Sequence, residues 1–278
     1  MLGSFLIFAR EGIEGTLICA ILLMFLSSAG RRDLFRWVFA GAAAAVALAA
    51  AVGVVLWVLS RDAFVGSQPQ EWFETVVFAV AVVILTYMTF WMRRHARSMG
   101  RELRGKASAA VTKGGLALAA IAFVTVGREA IETVIFLLAI AYQSSPLQLG
   151  IGAALGLALS LSVALAMYRL GVRVNLGRFF TIVGSLLMVV AAGLLANAVA
   201  NLQGLGALPG SSMTVWDISR VLPDDSGVGD VLHGLLGYSA APTLLQLLLW
   251  AGFLGIGLAA FLRPARVPAQ RPKASAAA

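Results

Sequence analysis

The chain has very few charged residues and almost no cysteine or histidine. Charged side chains make up 12% of its 278 residues, whereas soluble domains carry roughly 25%, and this shortage excludes an ordinary soluble protein. The single cysteine, Cys19, excludes an intramolecular disulfide, and we expect it to pack as a small apolar residue. The histidines, His95 and His233, lie outside the long apolar runs, which disfavours a zinc or copper site built on imidazole.

Long apolar segments dominate the sequence. Apolar residues make up 60% of it, and the mean hydropathy is +0.91. A helix of about 20 apolar residues crosses the roughly 30 Å of hydrocarbon in a bilayer, and the ten-residue alternation typical of membrane β-barrels is absent from the sequence. We therefore predict an all-α integral membrane protein with seven transmembrane helices, near residues 3–28, 37–59, 72–92, 114–142, 148–169, 178–200 and 243–262.

The basic residues indicate the orientation of these segments. They cluster after the first, third, fifth and seventh apolar runs, and the net charge is +8. Because basic residues near span ends are retained in the cytoplasm, this alternation places the N-terminus outside and the C-terminus in the cytoplasm. The charge therefore reflects insertion into a lipid bilayer, and we expect no nucleic-acid partner.

A single membrane domain accounts for most of the chain. We assign residues 1–262 to one transmembrane domain, and the tail 263–278, rich in proline, alanine and basic residues, to a disordered cytoplasmic segment. The N-terminus lacks the basic region of a cleavable signal peptide, and Arg10 interrupts the first apolar run early. We therefore expect the first span to stay in the mature protein.

Two charged motifs interrupt the apolar runs: Arg10-Glu11-Gly12-Ile13-Glu14 in the first span and Arg128-Glu129-Ala130-Ile131-Glu132 in the fourth. An ionised side chain at the centre of a bilayer costs about 2.5–3.5 kcal/mol on insertion scales, so such residues are rarely without a function. In the predicted orientation the two motif helices are antiparallel. Spans 1–3 and 4–6 then form two inverted halves with the seventh span added, as in transporters that bind substrate at the repeat interface.

Helical geometry indicates what each motif can do. Glu11 and Glu14 are separated by about 60° around the axis, so both carboxylates can face one cavity. Arg10 lies one turn from Glu14 and can pair with it, and Arg128 is placed in the same way relative to Glu132. Two such helices face each other with four carboxylates and two guanidinium groups.

Further acidic residues lie towards the outer side. Glu71 and Glu74 stand at the start of the third span, and the sequence leaves open whether Glu74 joins the site, which would then carry a formal charge of −3. Asp217, in the last outer loop with Asp224, Asp225 and Asp230, either belongs to a cation-attracting vestibule or is an ordinary exposed acid. Carboxylate oxygens favour iron, manganese, magnesium or calcium.

The residues alone leave two other functional classes open. A membrane-embedded metal-dependent enzyme could use clustered glutamates, but di-iron carboxylate bundles need Glu-x-x-His pairs, which these motifs lack. Alternatively, the motifs are interhelical salt bridges that only lock two helices together.

The sequence also resembles a known family through these same residues. The paired R-E-x-x-E motifs, with the stretches FETVVFAVAVVILTYMTFWMRR, RVNLGRFF and WDISRVLPDDSGVGDVLHGLLGY, resemble the oxidase-dependent iron transporter family, closest to its bacterial EfeU-type iron permeases. The resemblance implies a permease, not an enzyme, in the bacterial cytoplasmic (inner) membrane, without a prosthetic group and with Fe²⁺ or Fe³⁺ as substrate. Another divalent metal, such as lead or manganese, is the alternative.

The resemblance also implies roles for particular residues and partners. The motif glutamates would be the metal ligands, with Glu74 as the acid of the third span and the two arginines as supporting salt-bridge partners. By position the ligands are Glu11, Glu14, Glu129 and Glu132, and the arginines are Arg10 and Arg128. Periplasmic iron-binding or oxidising proteins would be the expected partners.

Overall fold

The structure is a computed structural model that describes residues 1–62, 68–95, 99–141, 145–170, 176–224, 229, 232–233 and 236–263. Within these residues the regular secondary structure is helical, apart from an isolated β-bridge between Thr214 and Thr243. A short 3-10 turn, Arg32–Leu34, joins the first two helices. The α-helices are α1 (Leu2–Ser28), α2 (Phe35–Asp62), α3 (Gln68–His95), α4 (Met99–Val111), α5 (Gly115–Ala141), α6 (Pro146–Leu170), α7 (Leu176–Gly204) and α8 (Leu244–Leu262).

The predicted apolar segments coincide with α1, α2, α3, α5, α6, α7 and α8 to within a few residues at each end. Five of these, α2, α3, α6, α7 and α8, are long and apolar enough to cross a membrane by length and composition. The motif helices α1 and α5 are not among the five, but each has 27 residues, or about 40 Å of helix. The all-helical class is confirmed and a multi-pass membrane protein is supported. The seven crossings and their orientation stay predictions, and the tail beyond residue 263 lies outside the described residues.

Helix α4 is absent from the predicted set because it lies in the basic segment between the third and fourth apolar runs. Its apolar residues Leu103, Ala107 and Ala110 are buried in a cluster with residues of α1, α2 and α5. Its opposite face is exposed and carries an ion pair between Lys106 and Glu102. The three buried positions follow the i, i+4, i+7 spacing of an amphipathic helix, with charged residues on the opposite face. The helix is missing from the predicted set because its 13 residues are too few to cross a bilayer.

The helix pairings repeat between the two halves of the chain. The most extensive contacts join α1 to α6, α2 to α5 and α3 to α7. The counterparts of α1, α2 and α3 in the second half are α5, α6 and α7, in that order. The α1–α6 pair of one half therefore corresponds to the α5–α2 pair of the other, and the α3–α7 pair corresponds to itself. The two halves therefore pack equivalently, and this packing brings the motif helices α1 and α5 into contact with each other.

Burial separates central helices from peripheral ones. The α7 segment is the most buried of the five apolar helices, whereas α2, α6 and α8 expose most of theirs. Large apolar side chains such as Val54, Leu165 and Ile256 are exposed on these peripheral helices. Soluble proteins rarely expose contiguous apolar surface on this scale, so the outer faces of these helices are suited to contact lipid.

Glycine allows a close helix contact beside the first motif. At Gly156 of α6, an added Cβ atom would lie 2.6 Å from the backbone oxygen of Phe5 and 2.8 Å from the backbone nitrogen of Ala9. Backbone atoms cannot move aside as a flexible side chain can. Small residues at helix interfaces are the usual means by which membrane helices approach closely, and here the contact fixes α6 directly beside the motif helix α1.

We expect Gly156→Ala to lower the stability of the protein in detergent, because the new methyl group would overpack the α1–α6 contact at a cost of about 1–3 kcal/mol. The measurement is the thermal midpoint from fluorescence-detected size-exclusion chromatography. The matched control is Gly150→Ala in the same helix, where an added Cβ meets no atom within 4 Å. Equal midpoints for the two variants would contradict the close contact.

Candidate metal site

The three charged residues of the α1 motif are buried and form two ion pairs. Arg10 is 2% exposed, and Glu11 and Glu14 are equally inaccessible. Nη1 of Arg10 donates to Oε1 of Glu11 at 2.6 Å, and Nε lies 3.2 Å from Oε1 of Glu14. The predicted pairing of the arginine with the second glutamate is present, and an additional bond to the adjacent glutamate accompanies it. One guanidinium group therefore pairs with two buried carboxylates and leaves this motif with a formal charge of −1.

The motif of α5 is arranged differently. Nε of Arg128 lies 3.0 Å from Oε1 of Glu132, which is the predicted pairing, but the arginine side chain is 43% exposed. Its Nη2 points to the sulfur of Met88 at 2.7 Å, and its guanidinium carbon lies 5.0 Å from the ring centre of Trp91. Both Met88 and Trp91 belong to α3, so a third helix takes part in positioning this arginine.

Three carboxylates from the two motifs meet at one point. Carboxylate oxygens of Glu11, Glu14 and Glu129 all lie within 4.8 Å of one another, and all three side chains are buried. Five oxygens in this region are buried without a hydrogen-bond partner: Oε2 of Glu11, both oxygens of Glu14, Oε2 of Glu129 and Oε2 of Glu132. Buried polar atoms are almost always satisfied, so this group of oxygens is suited to bind a cation with hard or borderline ligand preference.

The remaining predicted acids lie elsewhere. Glu74 is half-buried, and its Oε1 accepts a hydrogen bond from Nε2 of Gln70 at 2.9 Å; Glu74 is outside the group of three, as is Glu132. Glu71 is exposed at the start of α3. The formal charge of the two motifs alone, four glutamates against two arginines, is −2.

Asp217 is exposed in the loop that precedes α8. Its Oδ1 accepts hydrogen bonds from the backbone nitrogen and the hydroxyl of Ser219, and these bonds hold the pKa of the Asp217 carboxyl below its usual range. Oδ1 of Asp224 accepts a hydrogen bond from the backbone N–H of Ala240 at 2.7 Å, so Asp224 links two parts of this loop. Asp225 and Asp230 lie outside the described residues.

Two side chains with softer ligand atoms, His233 and Cys19, are outside the group of three carboxylates. Nδ1 of His233 lies 2.6 Å from the backbone oxygen of Tyr238. Cys19 packs against an apolar cluster. The contact of Met88 and Trp91 with Arg128 is what sequence analysis misses. In the sequence, the only indication of this contact is the i, i+3 spacing of Met88 and Trp91 on α3, and ordinary packing explains that spacing equally well.

Comparison with known proteins places the whole chain in one group. The family model described as the Iron permease FTR1 family matches residues 1–267. The ferrous iron permease EfeU of Escherichia coli O6:H1 is 34% identical over 97% of this chain and 98% of its own length. The protein of the same name from Yersinia pestis is 34% identical over 96% and 95%, and that from Shigella sonnei is 33% identical over 97% and 98%. No solved structure matches the chain.

Proposed function

The chain belongs to the iron permease FTR1 family, and from this premise we propose that it moves Fe²⁺ across the bacterial cytoplasmic membrane into the cytoplasm, through a glutamate site between α1 and α5. It is a transporter, not an enzyme, and iron is its substrate, not a prosthetic group. The observation that carries the proposed site is the convergence of Glu11, Glu14 and Glu129. Three carboxylates from two helices supply the oxygen ligands that such an ion prefers.

The proposed topology has seven membrane-spanning helices, with the N-terminus outside and the C-terminus in the cytoplasm. The alternation of basic residues supports the orientation. The equivalent packing of α1–α6 and α2–α5 supports two inverted halves of three helices each. In this arrangement residues 1–262 form a single domain, and α4 lies on the cytoplasmic side, packed against α1 and α5.

Charge favours the ferrous ion. The motif glutamates and arginines together carry a formal charge of −2, which one divalent cation neutralises; Glu74, the residue that would make the charge −3, is hydrogen-bonded to Gln70 instead. Neutralisation matters because an uncompensated charge in a low-dielectric interior is costly. The relatives named above are described as ferrous iron permeases, in agreement with this arithmetic.

The other acids define a proposed path. Glu71 and Asp217 would attract cations at the outer vestibule, and Glu74 would lead them to the buried group. Glu132, paired with Arg128, would take the ion as it leaves the three carboxylates. Periplasmic iron-binding or oxidising proteins would supply iron from outside. Manganese or lead, which suit the same oxygen ligands, are the alternative cargo.

We expect purified protein in liposomes to accumulate ⁵⁵Fe when iron is kept ferrous with ascorbate, and to accumulate little when iron is supplied as Fe³⁺ citrate. The reason is the −2 charge of the motif residues, which Fe³⁺ would overcompensate. The measurement is isotope uptake with and without an imposed pH gradient, with competition by Mn²⁺ and Pb²⁺. Uptake of Fe³⁺ alone would contradict the ferrous assignment. If neither form is taken up, iron transport itself is contradicted.

A further inference from the structure

The two motifs share the pattern Arg-Glu-x-Ile-Glu but differ in the bonds of their arginines. Arg10 binds the adjacent Glu11 at 2.6 Å and lies 3.2 Å from Glu14. Arg128 forms the corresponding pair with Glu132 at 3.0 Å, but its other contacts go to α3. The bond between Arg10 and Glu11 shows that an arginine in this motif can reach the adjacent glutamate. The sequence of the motif alone therefore does not explain why Arg128 turns away.

The difference lies in what surrounds the second arginine. The thioether of Met88, which is 1% exposed, is a weak acceptor placed 2.7 Å from Nη2 of Arg128. The indole of Trp91, one turn further along α3, holds the guanidinium 5.0 Å from its ring centre, within the range of a cation–π contact. Together these two side chains form a platform on α3 for Arg128.

We infer that the α3 platform, Met88 and Trp91, keeps Arg128 away from Glu129 and thereby leaves Glu129 available to the metal. Glu129 is the α5 carboxylate that joins Glu11 and Glu14. Without the platform, Arg128 would pair with Glu129 as Arg10 pairs with Glu11, and iron would have to displace it. Met88 and Trp91 are positioning residues, since they act through Arg128 and not on the ion.

This inference rests on the proposed function and is tested by the kinetics of ⁵⁵Fe²⁺ uptake in proteoliposomes. For Met88→Leu and Trp91→Leu we expect the KM for Fe²⁺ to rise by about fivefold or more, the loss expected for a cation–π or comparable contact. The maximal rate should stay within about twofold of wild type, because saturating iron outcompetes the arginine. Trp91→Phe retains an aromatic ring and should restore a near-normal KM.

The matched control is Met92→Leu, a buried methionine of the same helix that is outside the platform. Thermal midpoints in detergent identify any variant that is merely unfolded, and Met88→Leu conserves volume well enough to fold. Unchanged KM in both Met88→Leu and Trp91→Leu, or an equal rise in Met92→Leu, would overturn the inference. Absence of Fe²⁺ uptake by the wild-type protein would instead overturn the proposed function, so the two failures are distinguishable.

Discussion

Iron uptake is expected to fall by at least about 100-fold in Glu14→Gln, because loss of even an outer-shell partner of a metal ligand costs about 10–100-fold. Glu14 is 1% exposed, and both of its carboxylate oxygens are buried without a hydrogen-bond partner. Glutamine keeps the shape of the side chain but removes the negative charge and one oxygen ligand. The measurement is ⁵⁵Fe²⁺ uptake by proteoliposomes that contain equal amounts of each protein.

The same substitution should not destabilise the fold. Burying a charge costs free energy, and Arg10 would still pair with Glu11, so we expect the thermal midpoint of Glu14→Gln to equal or exceed that of wild type. This combination separates a metal ligand from a helix-locking salt bridge, whose removal would lower the midpoint. The control is Glu102→Gln in α4, an exposed glutamate paired with Lys106, which should transport iron normally. Normal uptake by Glu14→Gln would exclude this residue from the site.

Arg10→Met is expected to have the largest effect on stability. Arg10 is buried between two carboxylates, at 2.6 Å from Glu11 and 3.2 Å from Glu14. Removing one partner of a buried ion pair leaves an uncompensated charge and costs about 3–5 kcal/mol. We expect a large fall in the thermal midpoint in detergent and a reduced yield of protein in the membrane.

The double variant Arg10→Met with Glu11→Gln tests the cause of that loss. If the stranded charge on Glu11 is responsible, removing it should recover a substantial part of the midpoint, although uptake stays low. Arg31→Met, which breaks the exposed pair with Asp33, is the matched control and should leave the midpoint unchanged, because exposed pairs contribute little. A midpoint for Arg10→Met close to that of Arg31→Met would contradict the buried-pair account.

Much of the architecture is encoded locally. The apolar segments match α1, α2, α3 and α5–α8, because about 20 consecutive apolar residues have few alternatives to a membrane helix. The pairing of each motif arginine with the glutamate four residues later is also local, since one turn of helix brings them together. Helix α4 is not among the predicted segments because its 13 residues are too few and too rich in charge for a membrane span, and long apolar runs are the signal that identifies the other helices.

The sequence by itself determined the seven apolar helices, the placement of charge inside two of them, and the family. Only the tertiary structure decided which carboxylates meet: Glu129 joins Glu11 and Glu14, while Glu132 and Glu74 stay outside the group. It also decided that Arg128, unlike Arg10, is held by α3. The physical reason is the distance along the chain over which each kind of interaction acts. Helical periodicity fixes relations within about one turn, whereas contacts between helices depend on close packing at positions such as Gly156 and on side chains that are distant in sequence.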